Sequence, residues 1–369
     1  MDITVEKNTL IDCLNIAGRT VSAHSTLSIL ECILITADKD SFTLMSNDLE
    51  MNVETSAMNA EVFETGSVAL NAKILSEITR KMPGNFVRIK SDEKNMTECT
   101  SGRALFNIAG MPGDEFPANP PFEKNAGYTL KSALLKDMIR QTVFSTAVES
   151  TKPILTGELI KYENGELVFV AVDGFRIAYR KTRLPGGGEP VAAVIPAKAL
   201  NELNRILPAE DDEEVKFYFS EKRIVFEMRS ATFVSRLLEG DFIRYDQIYN
   251  EDFSTIVTTE RLSLLAGLER ACLIAGVSKK PPVKLEIKDE SIIMTSATEI
   301  GRSYDEITCD IDGKELEIGF NPRYMIEALR VIGDEKVVLR FNSPLSPCII
   351  KGLDSDEYKY LILPLKLRS

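Results

Sequence analysis

The sequence predicts an α+β protein made of three copies of one domain, each an antiparallel sheet carrying two helices on one face. Three observations carry that expectation. The chain is self-similar at an offset of 125 residues. Its apolar residues switch between helical and strand spacing at matching places in each copy, and turn-forming residues separate the runs.

The offset is clearest around a basic–acidic–basic triplet. Lys73, Glu77 and Arg80 recur as Lys198, Glu202 and Arg205, and again as Arg323, Glu327 and Arg330. The apolar positions between them move in step: Leu75, Leu200 and Met325; Ile78, Leu203 and Ala328; Met82, Leu207 and Ile332. Upstream, Phe42, Leu167 and Ile292 keep the same offset, as do Leu44, Phe169 and Met294. Domains at 1–122, 123–252 and 253–369 follow, joined by short linkers at 117–122 and 249–253.

The elements come in one order in every copy. An amphipathic helix opens it, at 8–23 with Leu10, Ile11 and Leu14, at 131–147 with Leu135, Met138 and Ile139, and at 260–280 with Leu264, Leu265 and Leu268. A strand hairpin comes next. In the second copy Asn164-Gly165 accepts the positive φ angles of a tight turn, and Leu167 and Phe169 alternate after it. The second helix spans 72–82, 197–207 and 322–332, and stops at Pro83-Gly84, Pro208 and Gly333. Alternating strands at 215–219, 224–228 and 337–341 close the copies, for about six to eight strands in each. Gly186-Gly187-Gly188 reads as a loop, since no Lys-Ser/Thr follows to make it a phosphate cradle. The acidic run 210–214 reads as a solvated loop.

With 369 residues, 44% hydrophobic and 27% charged, the composition is that of a soluble globular protein. No apolar run approaches the roughly 18 residues of a membrane span. The start lacks the basic-then-apolar pattern of a signal peptide, so a cytoplasmic protein is expected. Cys13, Cys32, Cys99, Cys272, Cys309 and Cys348 form no Cys-x-x-Cys pair and read as small reduced thiols. One histidine, His24, excludes triads and metal clusters that need several imidazoles, and no cofactor or metal is expected. Asp48 and Asp173 would be candidates for metal-assisted phosphoryl transfer, but they hold equivalent positions in different copies, and the third copy has Thr298. That pattern is a turn residue's. No enzyme is expected.

Net charge is −12, so contact with nucleic acid requires the positive charge to be segregated. It is: the six helical segments sum to +8, leaving −20 on everything else. Residues at i, i+4 and i+7 share a helical face, so each triplet decorates one stripe. Such a weakly basic surface meets phosphate without reading sequence. No basic arm or recognition helix is present. Persistence on DNA then comes from topology. Three domains suit a half circle, and two chains paired head to tail would close six domains into a ring, pairing sheet edges that otherwise invite aggregation.

Several stretches together resemble one family along the whole chain. They are Ser28-Ile-Leu, Asn47-Asp-Leu-Glu-Met, Val170-Ala-Val-Asp-Gly-Phe-Arg-Ile-Ala, Glu317-Ile-Gly-Phe-Asn and Tyr360-Leu-Ile-Leu-Pro-Leu-Lys-Leu. The sequence resembles the bacterial DNA sliding clamps, the beta subunits of the replicative DNA polymerase. The resemblance implies a homodimeric ring around double-stranded DNA, with helices lining the channel. The implied partners are the clamp loader, the replicative polymerase's catalytic subunit, repair polymerases and other peptide-motif proteins. It implies a partner-peptide pocket at Leu155, Val172, Gly174, Phe175, Arg176, Ile177, Ile243, Gln247, Ile248, Asn321, Tyr324 and Ser346, completed by Leu361, Leu363, Pro364, Leu365, Lys366 and Leu367. It implies DNA contact through His24, Lys73, Lys152 and Lys198, to which the triplets add Arg80, Arg205, Arg323 and Arg330. The implied dimer contact sets Arg103 and Phe106 of one subunit against Leu273 and Ile274 of the other. Val172, Phe175 and Ile243 stand where the family commonly has threonine, histidine and proline, and Arg368 and Ser369 extend past the usual end. The alternative is a monomeric peptide-binding scaffold not acting on DNA, which would explain the pocket but not the basic helices.

Overall fold

Each copy builds two helices by the same local logic. The computed structural model describes residues 1–22, 25–117, 122, 127–186, 188–208, 213–248, 253–275 and 282–367. Its α-helices are α1 (Lys7–Ala17), α2 (Ala72–Lys81), α3 (Ser132–Thr142), α4 (Ala197–Ile206), α5 (Arg261–Ala275) and α6 (Pro322–Val331). The first five follow directly on a strand, and α6 follows one after the single residue Asn321. In α1 the buried residues Leu10, Cys13, Leu14 and Ala17 are spaced 3, 1 and 3 apart, one face of a 3.6-residue turn. Asn71 Oδ1 accepts the Ile74 amide at 3.1 Å and caps α2, and Asn321 Oδ1 accepts the Arg323 amide at 3.2 Å at the start of α6, where Pro322 sets the first φ.

The first helices are shorter than their apolar pattern suggests. After α1 the chain tightens into a 3₁₀ turn, Gly18–Thr20, and after α3 into another, Val143–Ser145. In α3 the Thr142 hydroxyl reaches back to the Met138 carbonyl at 2.6 Å, an interaction that bends helices. α5 is described as far as Ala275, and the expected remainder, 276–280, lies outside the described residues.

By contact the chain divides into Met1–Leu134 with Asn201–Leu237, and Leu135–Leu200 with Leu238–Ser369. This division cuts the middle repeat, because each half of it continues a neighbouring repeat's sheet. In the first unit, strands Gly66–Asn71, Cys32–Asp38, Ser41–Asn47 and Met51–Thr55 run on into Ala231–Arg236, Arg223–Glu227, Glu214–Phe219 and Tyr128–Lys131. The seam pairs Met51–Thr55 antiparallel with Ala231–Arg236, Phe233 opposite Val53. In the second unit Val191–Pro196, Gly157–Glu163, Glu166–Val172 and Arg176–Arg183 run on into Tyr358–Ile362, Cys348–Gly352, Lys336–Phe341 and Thr255–Glu260. Its seam pairs Arg176–Arg183 with Tyr358–Ile362, Ala178 opposite Tyr360.

A smaller sheet completes each unit. The first orders Ala104–Ala109, Met96–Ser101, Phe86–Ser91, Asp2–Glu6 and Glu61–Glu64; the second orders Gly301–Thr308, Ser291–Thr298, Val283–Lys288 and Leu316–Phe320. The repeat offset predicts the cores well. Phe42, Leu167, Ile292, Leu44, Phe169 and Met294 are all buried, as are Leu75, Leu200, Met325, Met82, Leu207 and Ile332. Burying each such side chain is worth about 1.5–3 kcal/mol. Asn164 and Gly165 both take positive φ in the hairpin that pairs Glu163 with Glu166. In the third copy the equivalent turn is made by Asp289 and Glu290, also at positive φ.

Candidate functional site

The turn that separates Glu166–Val172 from Arg176–Arg183 organises the expected peptide pocket. Asp173 Oδ1 accepts the amides of Phe175 at 2.9 Å and Arg176 at 3.1 Å, and Gly174 takes φ +89°, which a side chain would resist. Phe175 is thereby turned outward and is 56% exposed. Its ring stacks on Tyr324 of α6 with centroids 6.3 Å apart. Beneath Tyr324, at 4.4 Å from its centroid, lies the Arg176 guanidinium. Arg176 is buried. Its Nε donates to Asp173 Oδ2 at 2.9 Å, its Nη2 to the Phe144 carbonyl at 2.8 Å, and its Nη1 to Glu327. Burial and the nearby Asp173 carboxylate raise the Tyr324 phenol above its ordinary value.

An apolar cluster adjoins the turn. Val172, Ile177 and Leu361 are buried in it together with Ile154 and Tyr245, and Leu155 and Ile243 pack against it half-buried. The final segment runs along the same region: the Leu363 amide donates to the Phe175 carbonyl at 2.9 Å, and the Leu365 amide to the Gly319 carbonyl at 2.8 Å. Gly319 is required there, since a Cβ would lie 2.9 Å from the Leu365 carbonyl oxygen and 2.6 Å from Leu367 Cδ2. Leu363 and Lys366 are exposed, and Pro364, Leu365 and Leu367 half-buried. Asn321 is buried as the α6 cap, and Ser346 shares a hydroxyl–hydroxyl bond of 2.7 Å with Ser343 beside the exposed Leu345. Gln247 and Ile248 belong to the 3₁₀ turn Tyr245–Ile248. Phe144 and Tyr245, which the sequence did not single out, complete the set. They carry no motif, and only the folded chain brings them here.

The basic positions are solvent-exposed in all three copies: Lys73 and Arg80, Lys198 and Arg205, Arg323 and Arg330, as is Lys152 in the turn before Pro153–Thr156. His24 lies outside the described residues. In α4 two members of the triplet pair with each other, Arg205 meeting Glu202 at 2.5 Å. In α2, Arg80 instead donates to Asn15 of α1 at 2.7 Å. In α6, Arg330 reaches Glu269 of α5 at 2.7 Å, and Glu327 turns to Arg176. Neighbouring elements compete for the triplet's members, which sequence spacing alone could not foresee.

Arg103 and Phe106 sit at the edge of the first small sheet, Phe106 on strand Ala104–Ala109 and 42% exposed beside Leu105 at 54%. Leu273, 72% exposed, and Ile274 lie near the end of α5, which packs on the sheet carrying the edge strand Gly301–Thr308. Ile300 and Tyr304 of that edge are also exposed.

The paired-carboxylate reading finds turns instead. Asp48 Oδ1 accepts the amides of Glu50 at 3.0 Å and Met51 at 2.8 Å, as Asp173 does for its own turn, and Thr298 Oγ1 accepts the Ile300 amide at 3.4 Å. Among the described residues no group of three or more His, Cys, Asp or Glu could hold a metal.

Three domain models match in succession: the DNA polymerase III beta subunit's N-terminal domain at residues 1–120, its central domain at 129–243 and its C-terminal domain at 247–366. The beta sliding clamp of Staphylococcus epidermidis is 31% identical over 375 residues, covering 99% of both chains. The DNA polymerase sliding clamp of Bacillus subtilis superposes with a TM-score of 0.96 at 32% identity, covering 100% of both chains. A structure described as a DNA polymerase III beta subunit from Eubacterium rectale superposes at 0.95 with 38% identity, again over 100% of both. With the three-fold repeat, the continuous sheets and these matches along the whole chain, the protein belongs to the DNA polymerase III beta subunit family of bacterial sliding clamps.

Proposed function

We infer that two copies of this chain close head to tail into a ring around duplex DNA. As a sliding clamp the chain is a processivity factor of DNA polymerase III, a non-catalytic subunit. One observation supports the ring most directly. Strands Met51–Thr55 and Arg176–Arg183 hold one repeat position, and Gly301–Thr308 holds it in the third copy. Strands Ala231–Arg236 and Tyr358–Ile362 hold the complementary position, and Ala104–Ala109 holds it in the first. The first two pairs form seams inside the chain; the last two strands are edges. A second copy supplies what each edge lacks, and head-to-tail closure satisfies both edges at once. Arg103 and Phe106 of one subunit then face Leu273 and Ile274 of the other, which covers the exposed apolar side chains of Phe106 and Leu273.

In that ring Lys73, Arg80, Lys152, Lys198, Arg205, Arg323 and Arg330, with His24, face the duplex without sequence preference. The apolar cluster of Leu155, Val172, Ile177, Ile243 and Leu361, bordered by Phe175, Tyr324 and the segment Leu363–Leu367, receives short peptides of the clamp loader, the replicative polymerase's catalytic subunit, repair polymerases and other partners. Seating two or three apolar side chains there gives an affinity near micromolar after ordering costs, on the order of −8 kcal/mol, suited to exchange. Such a protein works in the cytoplasm, and among the described residues no helix is long and apolar enough to cross a membrane. The reading as a scaffold unrelated to DNA has no support from the relatives.

The protein is loaded on nicked circular DNA by its clamp loader with ATP, and the circle is then linearised. Retention on circles and loss from free ends is expected; equal retention on both forms overturns the ring.

A further inference from the structure

We propose that Glu327, a member of the basic stripe on α6, is a positioning residue for partner binding, acting through Arg176. The proposal rests on the peptide-pocket reading above.

Arg176 is a buried cation within the proposed pocket set. It is 8% exposed, and its donors are divided among three elements: the turn at Asp173, the Phe144 carbonyl after α3, and Glu327 of α6. Its guanidinium carbon lies over the Tyr324 ring, 4.4 Å from the centroid, and over the Phe144 ring at 5.2 Å. The Tyr324 ring in turn carries Phe175, which is the exposed end of the stack. The exposed aromatic pair therefore shares the Tyr324 ring with a guanidinium whose orientation is fixed by its hydrogen bonds. A guanidinium is planar, so its bonds and its stacking cannot be set independently. Asp173 anchors the Nε edge. Glu327 anchors the opposite Nη1, and without it one donor of a buried cation is left unpaired. Rotation of Arg176 to recover a partner would tilt the plane on which Tyr324 rests.

The other two copies show that this use of the acid is particular. Glu202 holds the same repeat position in α4 and is spent on Arg205 of its own helix. Residue 176 is an arginine in the second copy only; Met51 and Gly301 stand at the equivalent places. Glu327 is thus withdrawn from its own helix, where Arg323 and Arg330 flank it at i−4 and i+3, and given to the pocket. Arg323 makes no ion pair among the described residues, and Arg330 finds Glu269. One carboxylate orients the pocket and, by leaving Arg323 uncompensated, keeps the α6 stripe positive.

The test measures binding of the full-length protein to the replicative polymerase's catalytic subunit in solution without DNA. Glu327→Gln, which keeps an oxygen acceptor but loses the charge, and Arg176→Lys, which loses the planar fork, are each expected to weaken binding by up to about tenfold, as loss of charge assistance or geometry from such a hydrogen bond does. The double variant should be scarcely weaker than either single one, since both break the same link. Glu327→Asp should restore most of the affinity, and Glu202→Gln should leave it unchanged. Melting temperature and oligomeric state are measured for every variant, so that a general loss of structure is recognised as such. Unchanged affinity in Glu327→Gln, or additive losses in the double variant, overturns the proposal. Absence of binding by the wild-type protein would instead sink the pocket reading on which it rests.

Discussion

Glu158 illustrates what one residue can do in an otherwise apolar core. The repeat places Ile33 and Val283 at the equivalent positions, both fully buried. Glu158 is fully buried too, with the Thr142 hydroxyl beside Oε1 and no partner for Oε2. Thr142 has one proton and already donates to the Met138 carbonyl, so a protonated Glu158 can donate to Thr142 Oγ1, which leaves only a neutral Oε2 without a partner. Burial raises the carboxyl well above its ordinary 4.5, outweighing the Thr142 hydrogen bond. The folded state therefore holds a proton that the unfolded chain releases. The associated stability is complete below pH 4.5 and is lost as pH rises toward the folded-state value. Glu158→Gln should remove that slope and stabilise the protein at pH 8 by roughly 1–3 kcal/mol. Denaturant unfolding at pH 5 and 8 measures this; equal pH dependence in both proteins contradicts it. The sequence lists the carboxylate but not its surroundings, which residues 16 positions apart create together.

The scale of the element is where the final segment belongs. Leu363–Leu367 is held by two backbone hydrogen bonds, to Phe175 and Gly319, and by the packing of Leu367 over Gly319. Deletion of Leu363–Leu367 should reduce polymerase binding at least a hundredfold, because most of an apolar rim disappears, while the self-association of the chain persists. Gly319→Ala should reproduce part of that loss, about threefold to tenfold, by pushing the segment off the strand Leu316–Phe320. Titration against immobilised polymerase decides it, and unchanged binding in the deletion would remove the segment from the pocket. The helices were legible from sequence because buried positions recur every three or four residues. Their ends were less so, since Thr142 turns a continuing pattern into a 3₁₀ turn through a bond to its own backbone. The hairpin at Asn164-Gly165 was plain from its dipeptide, whereas the third copy reaches the same positive-φ turn with Asp289 and Glu290, which carry no such signal.

At the scale of the whole molecule, the proposed ring turns on Ala104–Ala109 and Gly301–Thr308, each an edge of its small sheet. Phe106→Glu places a charge on an edge that the proposed ring buries against a second copy. We expect it to weaken dimerisation at least tenfold, with circular dichroism unchanged. Sedimentation equilibrium reads the outcome directly. A wild-type mass of one chain at micromolar concentration would overturn the closed ring, and an unchanged dimer in Phe106→Glu would move the interface elsewhere.

The triplicate architecture, the helix positions, the cores and the sorting of charge by element were all written in the sequence, because periodicity and burial are local consequences of side-chain spacing. What required the tertiary structure is competition between elements. It decided that Glu327 serves Arg176 while Glu202 serves Arg205, that the middle repeat's halves continue two different sheets, and which strand edges are left open. Each of these is a choice among partners far apart in the chain, and a hydrogen-bonding group takes the partner that packing brings nearest, which spacing along one element does not determine.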